Sequence, residues 1–517
     1  MLIDSRTLPE ATRLEADIAI VGGGAAGIAI AREFIGSGLR VALLESGGLD
    51  YDNDTQDLYA GEVTGNPSIA LDASRLRYLG GTSNHWAGYC RPLDEVDLAP
   101  RPWVPHSGWP ITRASLDPYY RRAHPVLQLV SDDYLPASWT AQMPPVFTSP
   151  VMQGPLRPVI FQQSPPTRLG STYRAELEQA SNVVVYLWAN LTEIVTDTTT
   201  TVVEHLAMAC LDGRRFTVAA RHVVLATGGV ENARLLLCSN RQAPAGLGNG
   251  HDLVGRYFMD HPAYPAATAL LNEPSAIARA PADQVVDVLC GIAPEVEERE
   301  GLLRFVTAIQ PLPPPDGEEA GYVALRDLTR TLRRGIWPDD LMGRLGTVLT
   351  DLDGTTSGFY QRFFARPELL RLRVHIEVAP NPESRVTLID ERDALGLNRV
   401  RLHWQLTELD RLSLRRNLEI VAETFGASGL GRLRLADWLL EEGFAIPGNG
   451  SYHHVGTTRM SADPRTGVVD RSCRVHGMHN LFIAGSSVFP TEGFTNPTLT
   501  IIALGLRLAD HLKSLHA

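Results

Sequence analysis

The chain opens with two apolar runs separated by a glycine cluster and a helix-like stretch of small residues. The first run ends at Val21, the cluster is Gly22-Gly23-Gly24, and the second run ends at Glu45. This order predicts a strand, a tight turn, a helix and a second strand within about thirty residues. Units of this kind begin the sheets that bind dinucleotides, so the pattern predicts a dinucleotide site near the N-terminus.

Each glycine of this unit has a separate predicted role. Gly22 allows the sharp turn, Gly24 lets the backbone approach a pyrophosphate, and Gly27 lets the helix pack closely on the strand. The free N–H groups at the helix N-terminus favour phosphate. Glu45 is placed to accept hydrogen bonds from a ribose diol, with Ser46 beside it. A diol favours NAD or FAD over NADP, and the acid does not choose between those two.

The remaining pattern predicts an α/β fold with a second domain inserted into the first. Residues 183–195 and 216–226 have strand patterns, and the proline- and serine-rich stretch 135–168 is typical of a surface loop. Further strand-like segments surround a helical stretch at 325–366; they are 264–271, 284–292, 301–310, 371–379, 384–389 and 399–404. A last helix is expected at 497–515, with Asn496 as its cap and Pro497 at its first position. We predict a nucleotide-binding domain from 1–261 and 451–517, and a substrate domain with a mostly antiparallel sheet at 262–450.

Composition narrows the class of protein. The 517 residues are 44% hydrophobic with a net charge of -12, and the chain has no Lys/Arg-rich run, so nucleic acid is not an expected partner. No stretch is apolar for about eighteen residues, which predicts a soluble, cytoplasmic protein without a membrane span. The five scattered cysteines indicate reduced thiols rather than a disulfide framework or an iron–sulfur cluster.

Several motifs together resemble the glucose–methanol–choline (GMC) oxidoreductases. After the opening unit they are Gly80-Gly81-Thr82-Ser83, Asp260-His261-Pro262, Tyr452-His453-His454-Val455-Gly456-Thr457 and Asn496-Pro497-Thr498-Leu499-Thr500. Within that family the chain is most similar to bacterial FAD-linked sugar dehydrogenases and to pyranose oxidases. The resemblance implies a Rossmann-like FAD-binding domain and oxidation of a hydroxyl group of a sugar or glycoside. Oxidation of a non-sugar alcohol, and a lyase with structural FAD, stay open.

The resemblance also implies the catalytic residues. His453 matches the family's catalytic histidine, which takes the hydroxyl proton while flavin N5 accepts hydride. Asn496 matches the second member of the pair and would orient the substrate oxygen. We interpret His454 as structural, because neighbouring side chains on an extended segment point in opposite directions. Asp260-His261-Pro262 matches a hinge between domains, and we assign it no chemistry.

Other cofactor contacts follow from the same resemblance. Gly81, Thr82 and Asn84 would approach the flavin, and His85 would either bond to it covalently or pack against it. Further contacts would come from a turn and from the start of the last helix, whose N-terminal dipole favours the charge that gathers on the reduced ring; they are Gly485, Ser486, Pro497 and Thr498.

The remaining predictions concern metal binding, surface charge, the electron acceptor and the class of protein. Histidines 453, 454, 476 and 479 have no tight ligand spacing, so we expect no metal. Charged residues at 325–345 indicate a solvated helix face, with a docking surface for an electron acceptor as the alternative. The acceptor is dioxygen or a quinone-like molecule, and the sequence does not show the oligomeric state. A nucleotide-binding protein without catalysis is the third functional class.

Overall fold

The early apolar runs form the centre of an eight-stranded sheet. The computed structural model describes residues 1–273, 285–311, 320–333, 340–352, 355, 369–446 and 450–516. The strands of this sheet are β1 (Leu2–Asp4), β2 (Thr12–Val21), β3 (Val41–Leu44), β7 (Val183–Leu187), β8 (Asn190–Thr196), β9 (Val203–Ala209), β10 (Arg215–Leu225) and β18 (Leu481–Ile483). Their order is β1-β7-β3-β2-β10-β9-β8, and β18 also pairs with β10. Residues 16–21 of β2 are all buried, as expected of a parallel strand covered on both faces.

The pairing of β18 with β10 joins the two ends of the chain. Strands β2, β3, β10 and β18 run parallel, so their carboxyl ends meet at one edge of the sheet. Ligands of open α/β sheets bind at this edge. The topology therefore brings the motifs of residues 450–500 beside the opening glycine unit.

A second sheet of seven strands is antiparallel throughout its described pairs. Its order is β17 (Gly431–Leu435), β11 (Ala263–Leu271), β14 (Leu369–Ile376), β13 (Phe305–Pro311), β12 (Val286–Ile292), β6 (Leu156–Gln163) and β5 (Tyr89–Cys90). A third sheet contains β15 (Arg385–Arg392), β16 (Asn398–Trp404) and β4 (Gly61–Gly65). The structure confirms the predicted α/β class with a Rossmann-like sheet and an antiparallel second sheet.

The helices pack around these sheets. They are α1 (Ala25–Glu33), α2 (Asn53–Asp57), α3 (Glu95–Leu98), α4 (Arg113–Val126), α5 (Pro145–Thr148), α6 (Leu169–Thr172), α7 (Arg174–Gln179), α8 (Glu231–Cys238), α9 (Pro294–Glu300), α10 (Ala320–Arg333), α11 (Leu341–Thr350), α12 (Glu408–Ala427) and α13 (Thr498–Leu515). Helix α13 packs against α1 and α4. Its apolar residues are buried there, which fixes its N-terminus over the edge of the first sheet.

The prediction of a surface loop at 135–168 was wrong for its second half. Residues 156–163 form β6, whose Leu156, Ile160 and Phe161 are buried. The prediction of a loop was based on the prolines, because proline interrupts central strands. Proline is tolerated in a strand at the edge of a sheet. Pro158 pairs only with β12, and β5 covers β6 only at its last two residues, so the proline lies at such an edge.

Other predictions fare differently. The helical stretch 325–366 contains part of α10 and all of α11, while 334–339, 353–354 and 356–368 lie outside the described residues. The six predicted strands between 264 and 404 are present, with shifted ends. The division into domains stays a prediction. All five cysteines carry free thiols. Among the described helices, none has the length and apolar character needed to cross a bilayer.

Candidate active site

A cavity of about 790 Å³ lies at the edge where the parallel strands end. One wall is formed by the turns after β2, β3, β10 and β18. The opposite wall is formed by strands of the antiparallel sheet. Of the predicted site residues, all except Gly27 and Asn84 line this cavity. The structure therefore brings both ends of the chain to one site, as the motifs predict.

The glycine turn differs from position to position. Gly22 has a φ of +103°, which a side chain rarely adopts, and a Cβ there would lie 2.6 Å from the carbonyl oxygen of Ala226. A Cβ on Gly27 would lie 1.9 Å from the Gly22 oxygen, so its absence permits close packing inside the turn. A Cβ on Gly24 would meet no atom within 4 Å, because Gly24 faces the open cavity. Gly24 is thus the glycine whose space a ligand can use.

Glu45 follows β3 directly and is almost fully buried at the cavity wall. Its Oε2 accepts the Gly23 N–H at 2.7 Å, and its Oε1 accepts the Gly47 N–H at 2.9 Å. The Ser46 hydroxyl also donates to Oε1, at 3.2 Å. A carboxylate has about four acceptor positions, so one remains for a hydroxyl of the ligand.

Two helices direct their N-termini at the cavity. Gly24 caps α1 without a side-chain hydrogen bond, which leaves the first-turn N–H groups of that helix unpaired. Pro497 caps α13 in the same way, and both Pro497 and Thr498 line the cavity. The predicted cap at Asn496 was therefore wrong by one residue. Its amide is used instead in the hydrogen bond to His453 described below.

The residues of segment 80–86 differ in whether they line the cavity. Gly81, Thr82 and His85 line the cavity, and His85 follows a short 3₁₀ turn whose carbonyl at Thr82 accepts its N–H. Asn84 does not line the cavity, because its amide donates to the Leu79 carbonyl at 3.0 Å. This hydrogen bond holds the turn, and the predicted contact of Asn84 with the cofactor stays a prediction.

The turn after β18 lies beside His454. Gly485 has a φ of +105°, which suits glycine, and Ser486 donates to the His454 carbonyl at 2.7 Å. The His454 ring is buried against Phe258 and also lines the cavity. Its Nε2 has no hydrogen-bond partner among the described residues. The structural role predicted for His454 therefore does not account for Nε2, a polar atom that is available at the cavity.

His453 and Asn496 form the pair that the sequence predicts. His453 Nε2 lies 3.1 Å from Asn496 Nδ2, and both residues line the cavity. The backbone that carries the ring is held by Asp260, whose carboxylate accepts the N–H groups of Ser451, Tyr452 and His453 at 2.8–3.2 Å. These bonds offset the cost of the left-handed backbone at Tyr452, where φ is 62°.

The surroundings keep the His453 ring neutral. Burial lowers the pKa of His453 well below 6.5, and the neighbouring His375 and His454 lower it further. Burial also raises the pKa of Asp260 to about 7, although four backbone N–H groups oppose that rise. A neutral imidazole at neutral pH has a lone pair that can accept a proton.

Sequence reasoning missed two histidines and the role of Asp260. His261 Nδ1 lies 3.0 Å from His453 Nδ1, and the His375 ring stacks on His261 with centroids 4.5 Å apart. One nitrogen from each of these three rings lies within 4.8 Å of the others. Such a group is a donor set that zinc accepts, so the interpretation without a metal stays a prediction. The adjacency of His261 to Asp260 in the hinge motif was the available signal.

The antiparallel sheet supplies polar side chains to the opposite wall. Asp287, Gln310 and Arg373 line it from three neighbouring strands, which are β12, β13 and β14. Strand β14 also contains His375, and β13 pairs with β14. Tyr89 and Gln163 hydrogen-bond the Asp287 carboxyl. Burial raises the pKa of Asp287, which favours its neutral form. Amide, guanidinium and carboxyl groups in this wall can contact the hydroxyls of a polar ligand.

Two family models match the chain. Residues 380–505 match the GMC oxidoreductase model of the C-terminal region, and residues 17–244 match the model described as FAD dependent oxidoreductase. These ranges contain the His453–Asn496 pair and the glycine unit. The C-terminal quarter of the chain is thus similar to the GMC oxidoreductases.

Individual relatives are consistent with this assignment. The chain is 27% identical over 305 residues to the fructose dehydrogenase large subunit of Gluconobacter japonicus, covering 58% of this chain and 48% of that protein. It is 29% identical over 323 residues to 6'''-hydroxyparomomycin C oxidase of Streptomyces lividus, covering 60% and 49%. The matches thus span about half the length of these relatives. A formate oxidase crystal structure shares the fold, with a TM-score of 0.58, 16% identity, and coverage of 98% of this chain and 99% of that one.

The residues of the cavity fit FAD, the cofactor named in the description of the second family model. The open space at Gly24 and the unpaired N–H groups of α1 suit a pyrophosphate. Glu45 keeps an acceptor position for a ribose hydroxyl. At the other end of the cavity, the unpaired His454 Nε2 and the N-terminus of α13 suit a polar ring that gains negative charge on reduction. We find no side chain in these positions that would exclude FAD.

Proposed function

We propose that this protein oxidises a hydroxyl group of a sugar or glycoside, with FAD as its cofactor. The observation that supports this most is the pairing of His453 Nε2 and Asn496 Nδ2 at 3.1 Å in the cavity that also contains the dinucleotide unit. The names of the relatives support a sugar substrate, since they include a fructose dehydrogenase and a C-glycoside 3-oxidase.

The residues divide the work of oxidation. His453 accepts the hydroxyl proton at Nε2, because its neutral ring presents a base there. Asn496 Nδ2 lies 3.1 Å from His453 Nε2, and its second N–H donates to the substrate oxygen and so orients the carbon that is oxidised. When bound, FAD would supply the acceptor for the hydride that leaves this carbon. Side chains of the antiparallel sheet hold the other hydroxyls, and Gln310 and Arg373 are placed for it.

The acceptor that reoxidises the enzyme is dioxygen or a quinone-like molecule in our proposal.

His85 lines the cavity, and burial together with Arg168 lowers its pKa, so the ring is a neutral nucleophile. We therefore keep a covalent bond between His85 and FAD within the proposal. Acid precipitation of the holoenzyme distinguishes the cases, because yellow colour stays with the protein only if the bond exists.

An anaerobic screen of sugars, glycosides and simple alcohols, followed by flavin absorbance, tests the proposed function. We expect the oxidised flavin band to bleach with at least one sugar or glycoside, and to stay unbleached in His453→Ala with the same substrate. Bleaching with non-sugar alcohols alone would contradict the substrate class. Product formation without any bleaching would indicate a lyase, and no reaction with any compound would favour a nucleotide-binding protein without catalysis.

A further inference from the structure

His261 lies behind the catalytic histidine rather than in the cavity. Its side chain is fully buried and is not among the residues that line the cavity, whereas His375 and His453 are. The His261 ring meets the edge of the His453 ring with centroids 5.1 Å apart and an interplanar angle of 80°. It thus contacts the base from the side opposite the substrate.

Hydrogen-bond directions in this cluster follow from one carbonyl. His261 Nε2 lies 3.0 Å from the carbonyl oxygen of Gly493, which can only accept, so this nitrogen carries a proton. Complete burial, with His375 and His453 nearby, lowers the pKa of His261 well below 6.5, so the ring is neutral. A neutral ring with its proton at Nε2 has a lone pair at Nδ1.

The same reasoning extends to the base. His453 Nδ1 lies 3.0 Å from that lone pair on His261, so His453 Nδ1 must donate. The neutral His453 ring then has its lone pair at Nε2, where the Asn496 amide donates at 3.1 Å. Hydrogen bonds connect Gly493 to His261, His261 to His453, and His453 to Asn496. Each of these bonds has one donor and one acceptor only in this arrangement of protons.

We propose that His261 is a positioning residue that fixes the tautomer of His453, so that the unprotonated nitrogen faces the substrate. This inference rests on the proposed function, because the tautomer matters only where His453 acts as a base. Neighbouring residues of the hinge motif then have complementary tasks. Asp260 accepts the backbone N–H of His453, and His261 Nδ1 accepts a hydrogen bond from the ring N–H at His453 Nδ1.

Without His261 the base has an alternative state. His453 Nδ1 would lose its acceptor, and the ring could carry its proton at Nε2 instead. Rotation of the Asn496 amide would then present its oxygen to that proton, so the second state would also be hydrogen-bonded. It has no lone pair toward the substrate and cannot accept the hydroxyl proton. The acceptor at His261 Nδ1 selects against this state.

The other groups around His261 leave this arrangement intact. Glu492 Oε2 is 3.6 Å from His261 Nδ1, which is longer than the 3.0 Å to His453, and its Oε1 accepts the Val378 N–H. The Asp260 carboxylate is engaged by backbone N–H groups. His375 stacks on His261 and directs its Nδ1 to the Phe494 carbonyl at 2.8 Å.

Nitrogen-15 NMR of the substrate-free holoenzyme tests the proposal directly. Labelled histidine distinguishes protonated from unprotonated ring nitrogens, and subtraction of a His453→Gln spectrum identifies the His453 signals. We expect Nδ1 protonated and Nε2 unprotonated in the wild type. In His261→Leu we expect protonation to shift toward Nε2, while His261→Asn, which offers an acceptor oxygen, restores part of the native state. His375→Gln is the matched control and should leave the tautomer unchanged.

Kinetics provide the second measurement. We expect kcat to fall about a hundredfold in His261→Leu, within the range of general base catalysis, and to recover partly in His261→Asn. A wild-type His453 protonated at Nε2 would overturn the proposal even if no variant folds, as would an unchanged tautomer in His261→Leu. Because the NMR needs no substrate, this proposal and the proposed sugar oxidation fail independently.

Discussion

The two walls of the cavity are built in opposite ways. The wall at the parallel strands, here called the backbone wall, contains the glycines after β2, β10 and β18 and the helix N-termini at Gly24 and Pro497. The other wall consists of side chains from antiparallel strands, including Asp287, Gln310 and Arg373. Backbone groups suit a ligand common to many proteins, whereas side chains determine which substrate enters. His453, the proposed base, and its partner Asn496 lie where the walls meet.

The largest effect is expected at that junction. Replacing His453 with alanine removes the proton acceptor, so we expect kcat to fall about 10²–10⁴-fold. FAD content should stay at the wild-type level, because the cofactor contacts lie mainly in the backbone wall. Stopped-flow reduction of the flavin by the best sugar measures the effect. A variant that reduces its flavin at the wild-type rate would show that another residue is the base.

The backbone wall is tested at Gly24. A Cβ there meets no protein atom within 4 Å, and in Gly24→Val the side chain fills space that the pyrophosphate needs. We therefore expect the Kd for FAD to rise about tenfold or more, at ~1.4 kcal/mol for each factor of ten. Gly426→Val is the matched control, since Gly426 also has open space but lies outside the cavity. Apoprotein titration with FAD measures both. Equal affinities in the two variants would contradict the assigned pyrophosphate position.

The pH dependence of the reaction tests how burial changes the pKa of His453. Because burial lowers the pKa of His453 well below 6.5, the ring is unprotonated above that value and gains a proton only in more acidic solution. We therefore expect kcat/KM to be level above pH 6.5 and to fall as pH decreases through the lowered pKa. An acidic limb centred above 6.5 would contradict the buried position of the base.

The smallest effect is expected in the side-chain wall. Arg373 lines the cavity two residues before His375 on β14, within electrostatic range of it. We expect Arg373→Gln to raise KM for the sugar about tenfold, at ~1.4 kcal/mol, with little change in kcat. Steady-state kinetics with the best substrate provide the values. A lower kcat at constant KM would instead place Arg373 in the chemical step.

The sequence predicted the glycine unit of the backbone wall far better than the group behind His453, for a physical reason. The glycine unit is local, so the spacing of Gly22, Gly24, Gly27 and Glu45 contains nearly all of its geometry. His261 lies 192 residues from His453, and only the folded sheets bring the two rings together. No pattern near His261 indicates which ring it will meet. The same limit explains β6, which a proline concealed until its edge position was known.

A crystal structure of the holoenzyme with FAD tests the central claim most directly. We predict that the flavin ring lies between the parallel-strand wall and His453, with N5 facing the space beside His453 Nε2 and Asn496. A flavin ring bound away from these two residues, or a His453 ring turned out of the cavity, would contradict the account.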